Sequence, residues 1–168
     1  MHSMIDFYPV VVLLGAHQTG KTTLLHQLLP DYSYVTLDLP SEAALAEGDP
    51  EQFFFLHPAP VIVDEVQYAP LLFRHIKALV DADRHAMGRI VLTGSQKFSL
   101  MKELTDSLAG RVYILGLEGC GLAELSAGGP VDIHLYVYRG GFPELWRVPD
   151  LPSTVVSHPT CLSILSVM

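Results

Sequence analysis

The chain contains the stretch Gly15-Ala16-His17-Gln18-Thr19-Gly20-Lys21-Thr22, followed at once by Thr23. Its spacing, G-x-x-x-x-G-K-T, is that of the Walker A phosphate-binding loop. Glycines allow backbone conformations that a Cβ would obstruct, so several N–H groups can turn toward one polyphosphate. Lys21 is predicted to contact the β- and γ-phosphates, and the hydroxyl of Thr22 to ligate Mg²⁺. We therefore expect residues 15–23 to bind a nucleotide.

The segments on either side of this loop favour the same interpretation. Residues 8–14 form a continuous apolar, β-branched run, which is typical of a strand buried on both faces. Residues 22–29 read as a short apolar-rich helix that Pro30 stops. The positive end of that helix would point at the bound anion. The alternative, a glycine turn with an incidental lysine, does not predict this order of strand, loop and helix.

The composition argues against several other classes of protein. The chain has 168 residues, 49% of them hydrophobic and 17% charged, which is enough for one domain with a buried core. A net charge of −8 argues against a whole-surface nucleic-acid binder. The two cysteines, Cys120 and Cys161, indicate a reduced compartment rather than a disulfide scaffold. Without a signal peptide or an apolar run of membrane-spanning length, a cytoplasmic protein with no membrane partner is expected.

Strand-like and helix-like segments alternate along most of the chain. Further strands are predicted at 31–38, 61–64, 89–93 and 112–115, and helices at 41–47, 50–56, 71–80, 98–108 and 121–127. Residues 135–138 fit either a strand or a helix. The alternation predicts an α/β fold of the P-loop NTPase type, with a mostly parallel five-stranded sheet flanked by helices.

A second motif supplies acidic residues. The apolar run Val61-Ile62-Val63 ends in Asp64 and Glu65, which is the Walker B pattern. Asp64 is predicted to hold the Mg²⁺ shell, usually through water, and Glu65 to orient or deprotonate the attacking water. The alternative is an ordinary acidic turn, but the Walker A loop upstream favours a catalytic site. The eight histidines show no metal-ligand spacing such as H-E-x-x-H.

Two further positions are candidates with an alternative each. Thr93 or Ser95, at the end of a strand expected between those of the two motifs, is predicted to contact the γ-phosphate or the water. Ser95 could instead only cap the next helix. Arg111, after Gly110, is predicted to reach a neighbouring subunit's γ-phosphate as a finger, which implies self-association. The alternative is a helix C-cap, with Arg111 at the negative end of the dipole.

Together these motifs resemble a prokaryotic AAA+-like ATPase family with an AAA_14-type ATP-binding domain followed by a DUF4143 region. The matching segments are 15–24, 48–50, Asp64-Glu65-Val66-Gln67 with Pro70, Ile76-Lys77 with Asp81, 92–95, Ser107-Leu108-Ala109-Gly110-Arg111, 124–125 and 140–144. Coverage extends over about residues 7–147. The resemblance implies an AAA+/RecA-like fold with ATP and Mg²⁺ as cofactors.

The chain departs from the family in two ways. The family usually has Arg where this chain has His17, which puts a phosphate-side contact in doubt. The similarity fades after Arg147, and residues 151–168 contain no Asp, Glu, Lys or Arg. We therefore expect a P-loop ATPase domain at 1–128, a connection to a missing C-terminal region at 129–150, and an aberrant tail at 151–168 in a truncated chain.

The expected function is Mg²⁺-dependent ATP hydrolysis that serves a conformational switch or motor. The alternative is a nucleotide-binding interaction module, or an inactive remnant, without turnover. A GTPase is excluded because its N-K-x-D motif needs Asn, and the chain has none. A small-molecule kinase fits less well, since Asp64-Glu65 followed by a sensor-like strand suits attack by water. The sequence names no protein or DNA client.

Overall fold

The computed structural model describes residues 2–95 and 108–148. Its contacts form two compact units, one of residues 2–17 with 21–95 and 108–117, the other of residues 18–20 with 118–148. The predicted tail at 151–168 lies outside the described residues. So does the predicted helix at 98–108, except for Leu108. The predicted domain boundary at 128 stays a prediction.

The first unit alternates strands with helices, as predicted. Its elements are α1 (His2–Ile5), β1 (Val10–Gly15), α2 (Lys21–Leu28), β2 (Ser33–Thr36), α3 (Pro40–Gly48), α4 (Pro50–Leu56), β3 (Val61–Asp64), a 3₁₀ turn (Val66–Tyr68), α5 (Leu72–Ala82), β4 (Ile90–Gly94) and β5 (Val112–Leu117). Most ends differ from the expected ones by one or two residues, which is the usual uncertainty of element boundaries.

The five strands form one sheet in the order β2-β3-β4-β1-β5, and every neighbouring pair is parallel. The predicted parallel five-stranded sheet is therefore confirmed. Since the strands are parallel, their carboxyl ends lie at one edge, which is where ligands bind in open α/β sheets. The strand that carries Thr93, β4, lies between β1 and β3 as expected.

Both faces of the sheet are covered, which explains the continuous apolar run of β1. Alternate β1 residues pack on one face with residues of α4 and α5, and the others pack on the opposite face with α2. The first set comprises Val10, Val12 and Leu14 with Phe53, Phe73 and Ile76; the second comprises Val11 and Leu13 with Leu25 and Leu29.

The helical spacing of residues 71–80 predicts that Leu72, Ile76, Leu79 and Val80 share one face. Helix α5 buries a slightly different stripe. Leu72, Ile76 and Val80 are buried as expected. Leu79, placed on the same face by the sequence, is 39% exposed, while Phe73 is buried. The contact face of the helix is therefore rotated toward Phe73, because the sheet and α4 present their apolar surface on that side.

The second unit contains three short helices, α6 (Leu122–Ser126), α7 (Ile133–Arg139) and α8 (Pro143–Arg147). Residues 135–138, left open by the sequence, are thus helical. The backbone passes very close to itself here, since a Cβ on Gly141 would lie 2.5 Å from the carbonyl oxygen of Cys120. Glycine is therefore required at 141 for space.

In the ranges that the structure describes, no helix combines the length and the apolar character needed to cross a membrane.

Candidate nucleotide-binding site

The Walker A loop connects the carboxyl end of β1, at Gly15, to the first residue of α2, at Lys21. Gly20 has a φ of +88°, and a Cβ there would meet no atom within 4 Å. Glycine is therefore needed at 20 for its backbone conformation rather than for space. Gly15 does not have a positive φ, so the predicted conformational reason holds at Gly20 but not at Gly15. Gln18 also lies in the left-handed region, at φ 64°.

The side chain of Lys21 turns back toward the start of the loop. Its Nζ donates hydrogen bonds to the carbonyl oxygens of Gly15 and Ala16, both at 2.9 Å. Lys21 is only 6% exposed. Both acceptors are neutral carbonyl groups, so neither balances the charge of the ammonium group. An anion bound at the loop could do so. Of the other predicted loop residues, Thr19 is buried, whereas Ala16, His17, Gln18 and Thr23 are exposed.

Three hydroxyl groups from three different elements converge on the carboxylate of Asp64, at the end of β3. Oδ2 accepts from Thr22 Oγ1 at 3.2 Å and from the Tyr34 hydroxyl at 2.6 Å. Oδ1 accepts a short hydrogen bond from Thr93 Oγ1. The structure thus brings the two predicted metal ligands, Thr22 and Asp64, into direct contact and fixes the carboxylate between α2, β2 and β4.

The spacing of these two ligands suits a magnesium ion. Mg²⁺ prefers octahedral oxygen ligands at about 2.0–2.1 Å, so neighbouring ligands are about 3 Å apart. Thr22 Oγ1 and Asp64 Oδ2 are separated by 3.2 Å. Within residues 2–95 and 108–148 no group of three His, Cys, Asp or Glu side chains could hold a metal.

Tyr34 is a part of the site that sequence reasoning missed. Burial, followed by the hydrogen bond to the Asp64 carboxylate, raises the pKa of Tyr34 well above its usual value. The phenol therefore stays protonated and donates to Asp64 at every physiological pH. No motif in the sequence indicates that Tyr34 belongs to the site, because only the pairing of β2 with β3 brings Tyr34 near Asp64.

The two candidate sensor residues at the end of β4 have different surroundings. Thr93 is fully buried, and its Oγ1 accepts a hydrogen bond from the backbone N of Glu65 at 3.2 Å. Because it also donates to Asp64, Thr93 links β4 to the Walker B residues. The Oγ of Ser95 is buried and has no partner in the part of the chain that the structure describes. A sensing role stays a prediction for both residues.

Glu65, the predicted base, faces the phosphate loop. Its backbone is left-handed, with φ 58° and ψ 47°, a conformation that costs a non-glycine residue roughly 1–3 kcal/mol. Its side chain is 8% exposed, and Oε1 lies 3.8 Å from Nδ1 of His17. Oε2 accepts a short hydrogen bond from Gln67 Nε2. Such strain is typical of functional sites.

Arg111 is the one predicted catalytic residue that the structure does not bring to this site. It immediately precedes β5, whose Val112 pairs in parallel with Val10 at the start of β1. Arg111 therefore lies at the amino edge of the sheet, whereas Lys21 follows the carboxyl edge. Its Nε donates to Asp81 Oδ1 at 2.8 Å, and its Nη1 to the carbonyl of Ala109 at 3.0 Å. A finger that reaches a neighbouring subunit stays a prediction.

We expect Arg111→Ala to lower the melting temperature by a few degrees at most and to leave turnover per folded molecule unchanged in the isolated chain. The hydrogen bond from Arg111 lowers the pKa of Asp81. Stability from a lowered carboxyl pKa is present above the ordinary Asp pKa, about 3.9, and is lost as the pH falls through the lowered value. The melting temperatures of the wild type and of Arg111→Ala, measured by thermal unfolding, should therefore differ at pH 7 and become equal in acid.

The control for that substitution is Arg74→Ala, since Arg74 is an exposed arginine on α5. It should leave the melting temperature unchanged at both pH values. The expected result would be contradicted if Arg111→Ala turned over ATP more slowly than the wild type and this difference increased with protein concentration. That outcome would support the role of Arg111 as a finger that reaches a neighbouring subunit.

The fold and the site define a class of protein. A parallel five-stranded sheet flanked by helices, with the predicted phosphate loop after β1 and the acids Asp64 and Glu65 at the end of β3, is the architecture of a P-loop ATPase-like nucleotide-binding domain. The family AAA_14, described as an AAA domain, matches residues 8–126. The chain belongs to this family.

Two curated proteins and one solved structure are similar to the chain. Uncharacterized proteins of Mycobacterium bovis and Mycobacterium tuberculosis are each 32% identical to the chain over 137 residues, which is 80% of this chain. The chain spans about 30% of the length of these curated relatives. The Walker-type ATPase of Pyrococcus abyssi has a similar fold, with a TM-score of 0.50 and 16% identity over 86% of this chain and 62% of that one.

Proposed function

We propose that this chain binds ATP together with Mg²⁺ and hydrolyses it to ADP and phosphate. One observation carries the proposal: the contact of Thr22 with Asp64, 3.2 Å between the two oxygens, next to a Glu65 carboxylate that faces the phosphate loop. A phosphate-binding lysine, a pair of metal ligands and a general base are the parts that phosphoryl transfer to water requires.

Lys21 and the start of α2 would hold the phosphates. The ammonium of Lys21 now donates to two carbonyls of the loop, and these are weaker partners than a phosphate oxygen. The first backbone N–H groups of α2 have no partner inside the helix and carry partial positive charge. ATP would therefore replace neutral acceptors by charged ones.

Thr22 and Asp64 would hold the metal. A bound Mg²⁺ would neutralise the negative charge on the β- and γ-phosphate oxygens. Tyr34 and Thr93 fix the orientation of the Asp64 carboxylate by donating one hydrogen bond to each of its oxygens. The carboxylate is therefore already oriented beside Thr22, as ligating carboxylates held by hydrogen bonds are.

Glu65 would act as the general base. Its Oε1 would accept a proton from the attacking water, whose oxygen forms the new bond to the γ-phosphorus while the bond to ADP breaks. The carboxylate is nearly buried and lies beside the loop, so bulk water competes little for it.

The test is the metal dependence of ATP turnover by the wild-type chain. We expect phosphate release in the presence of Mg²⁺, its loss when EDTA removes the metal, and its return on addition of excess Mg²⁺. Binding of a fluorescent ATP analogue, measured in parallel, separates the alternatives. Binding without phosphate release under any metal condition would contradict hydrolysis and support the interaction module, and no binding would support the inactive remnant.

The role that ATP hydrolysis would serve is proposed from the family resemblance alone. We propose that hydrolysis serves a conformational switch or motor. Self-association would be needed for Arg111 to reach a neighbouring site, because in its own chain it lies at the opposite edge of the sheet from Lys21.

A further inference from the structure

Gln67 contacts the proposed base through one defined half of its amide group. It lies in the 3₁₀ turn Val66–Tyr68, directly after the Walker B residues, and its Nε2 donates to Glu65 Oε2. An ionised carboxylate can only accept hydrogen bonds, so the NH₂ group of the amide must face it. The amide oxygen Oε1 is buried and has no partner in residues 2–95 and 108–148.

The backbone around Glu65 is held independently of Gln67. The N–H of Glu65 donates to Thr93 Oγ1, and the carbonyl of Glu65 accepts from the N–H of Tyr68 at 3.1 Å. Val66 is fully buried in the core. The turn therefore has its own hydrogen bonds and its own apolar anchor. What remains free is the rotation of the Glu65 side chain, and this is the freedom that the Gln67 amide removes.

The direction of the Glu65 carboxylate follows from this contact. One oxygen, Oε2, is held by Gln67, whereas the other, Oε1, points to the phosphate loop and lies 3.8 Å from His17 Nδ1. A carboxylate fixed at one oxygen presents the other in a defined position, which matters because general-base catalysis depends on reaching the proton within hydrogen-bond distance.

We propose that Gln67 is a positioning residue, which holds Glu65 Oε2 so that Oε1 is directed to the water that attacks the γ-phosphate. This inference rests on the proposed hydrolysis of ATP. Gln67 itself takes no proton, and its effect on the reaction passes through Glu65. Loss of its donor should therefore slow the chemical step and leave nucleotide binding, which depends on Lys21 and Thr22, unaffected.

The test is Gln67→Met, which keeps the length of the side chain and removes the donor. We expect kcat for ATP hydrolysis to fall by roughly 10- to 100-fold, the range for a misplaced catalytic group. KM, the affinity for a fluorescent ATP analogue and the melting temperature should stay at the wild-type values. Gln52→Met, at an exposed glutamine on α4, is the matched control and should change none of these quantities.

The outcomes separate this inference from the proposed function. An active wild type, an inactive Glu65→Gln variant and a Gln67→Met variant with unchanged kcat would overturn the positioning role and leave the hydrolysis intact. A loss of nucleotide affinity or of folded protein that accounts for the lost turnover would also overturn it. Failure of the wild type to hydrolyse ATP would overturn both proposals.

Discussion

Glu65→Gln is expected to lower kcat for ATP hydrolysis by about 10²- to 10⁴-fold, the usual contribution of a general base, with ATP binding nearly unchanged. The substitution removes the basic oxygen but keeps the shape of the side chain. Its amide oxygen can still accept the hydrogen bond from Gln67. Phosphate release under saturating Mg²⁺ and ATP measures turnover, and titration with a fluorescent ATP analogue measures binding.

The control for this substitution is Glu51→Gln, since Glu51 is an exposed acid in the first turn of α4. It makes the same change of charge far from the phosphate loop and should turn over ATP like the wild type. Retention of wild-type turnover by Glu65→Gln would mean that Glu65 is not the base. An equal loss of affinity and turnover would mean that the acid supports binding rather than the reaction.

Lys21→Ala is expected to weaken ATP binding by about 30-fold to several thousand-fold. Truncating one member of a buried, hydrogen-bonded charge pair costs about 2–5 kcal/mol, and each 1.4 kcal/mol corresponds to about tenfold in Kd. Lys21 is 6% exposed, so little water would replace it beside the phosphates. Isothermal titration with ATP and Mg²⁺ gives the affinity, and circular dichroism shows whether the variant is folded.

Lys77→Ala removes the same charge from an exposed position on α5 and is the matched control. It should bind ATP like the wild type, which shows that net charge alone does not explain the loss. Wild-type affinity in a folded Lys21→Ala variant would refute the phosphate-binding role of the loop. A variant that fails to fold would contradict the expectation that Lys21 acts on the ligand rather than on the stability of the domain.

Much of the fold could be predicted because its signals are local. The apolar run of β1 and the breaks at proline and glycine are short-range features, and the structure has all five predicted strands. The exposed Leu79 was predicted wrongly because helical periodicity says which residues share a stripe, but not where the neighbouring elements lie. The position of β4 between β1 and β3 was expected from the two motifs, and the strand order confirms it.

The residues of the candidate site also fall into two groups, those that local motifs predict and those that depend on neighbouring elements. Lys21, Thr22, Asp64 and Glu65 were predicted from motifs, and the structure places all four at the carboxyl edge of the sheet. Tyr34 could not be predicted, because its contact with Asp64 depends on which strand lies beside β3. Arg111 was predicted to act on a neighbouring subunit, and its place at the amino edge of its own sheet leaves that role a prediction.

The sequence by itself determined the phosphate loop, the acidic strand end and the alternation of elements, because each depends on the spacing of residues close together in the chain. Only the tertiary structure decided which side chains hold the Asp64 carboxylate, that Gln67 holds Glu65, and that Arg111 pairs with Asp81. These contacts join residues of different elements or depend on the strained turn at Glu65. They arise from the order in which parallel strands pair and from the packing of both faces of the sheet, which no local spacing specifies.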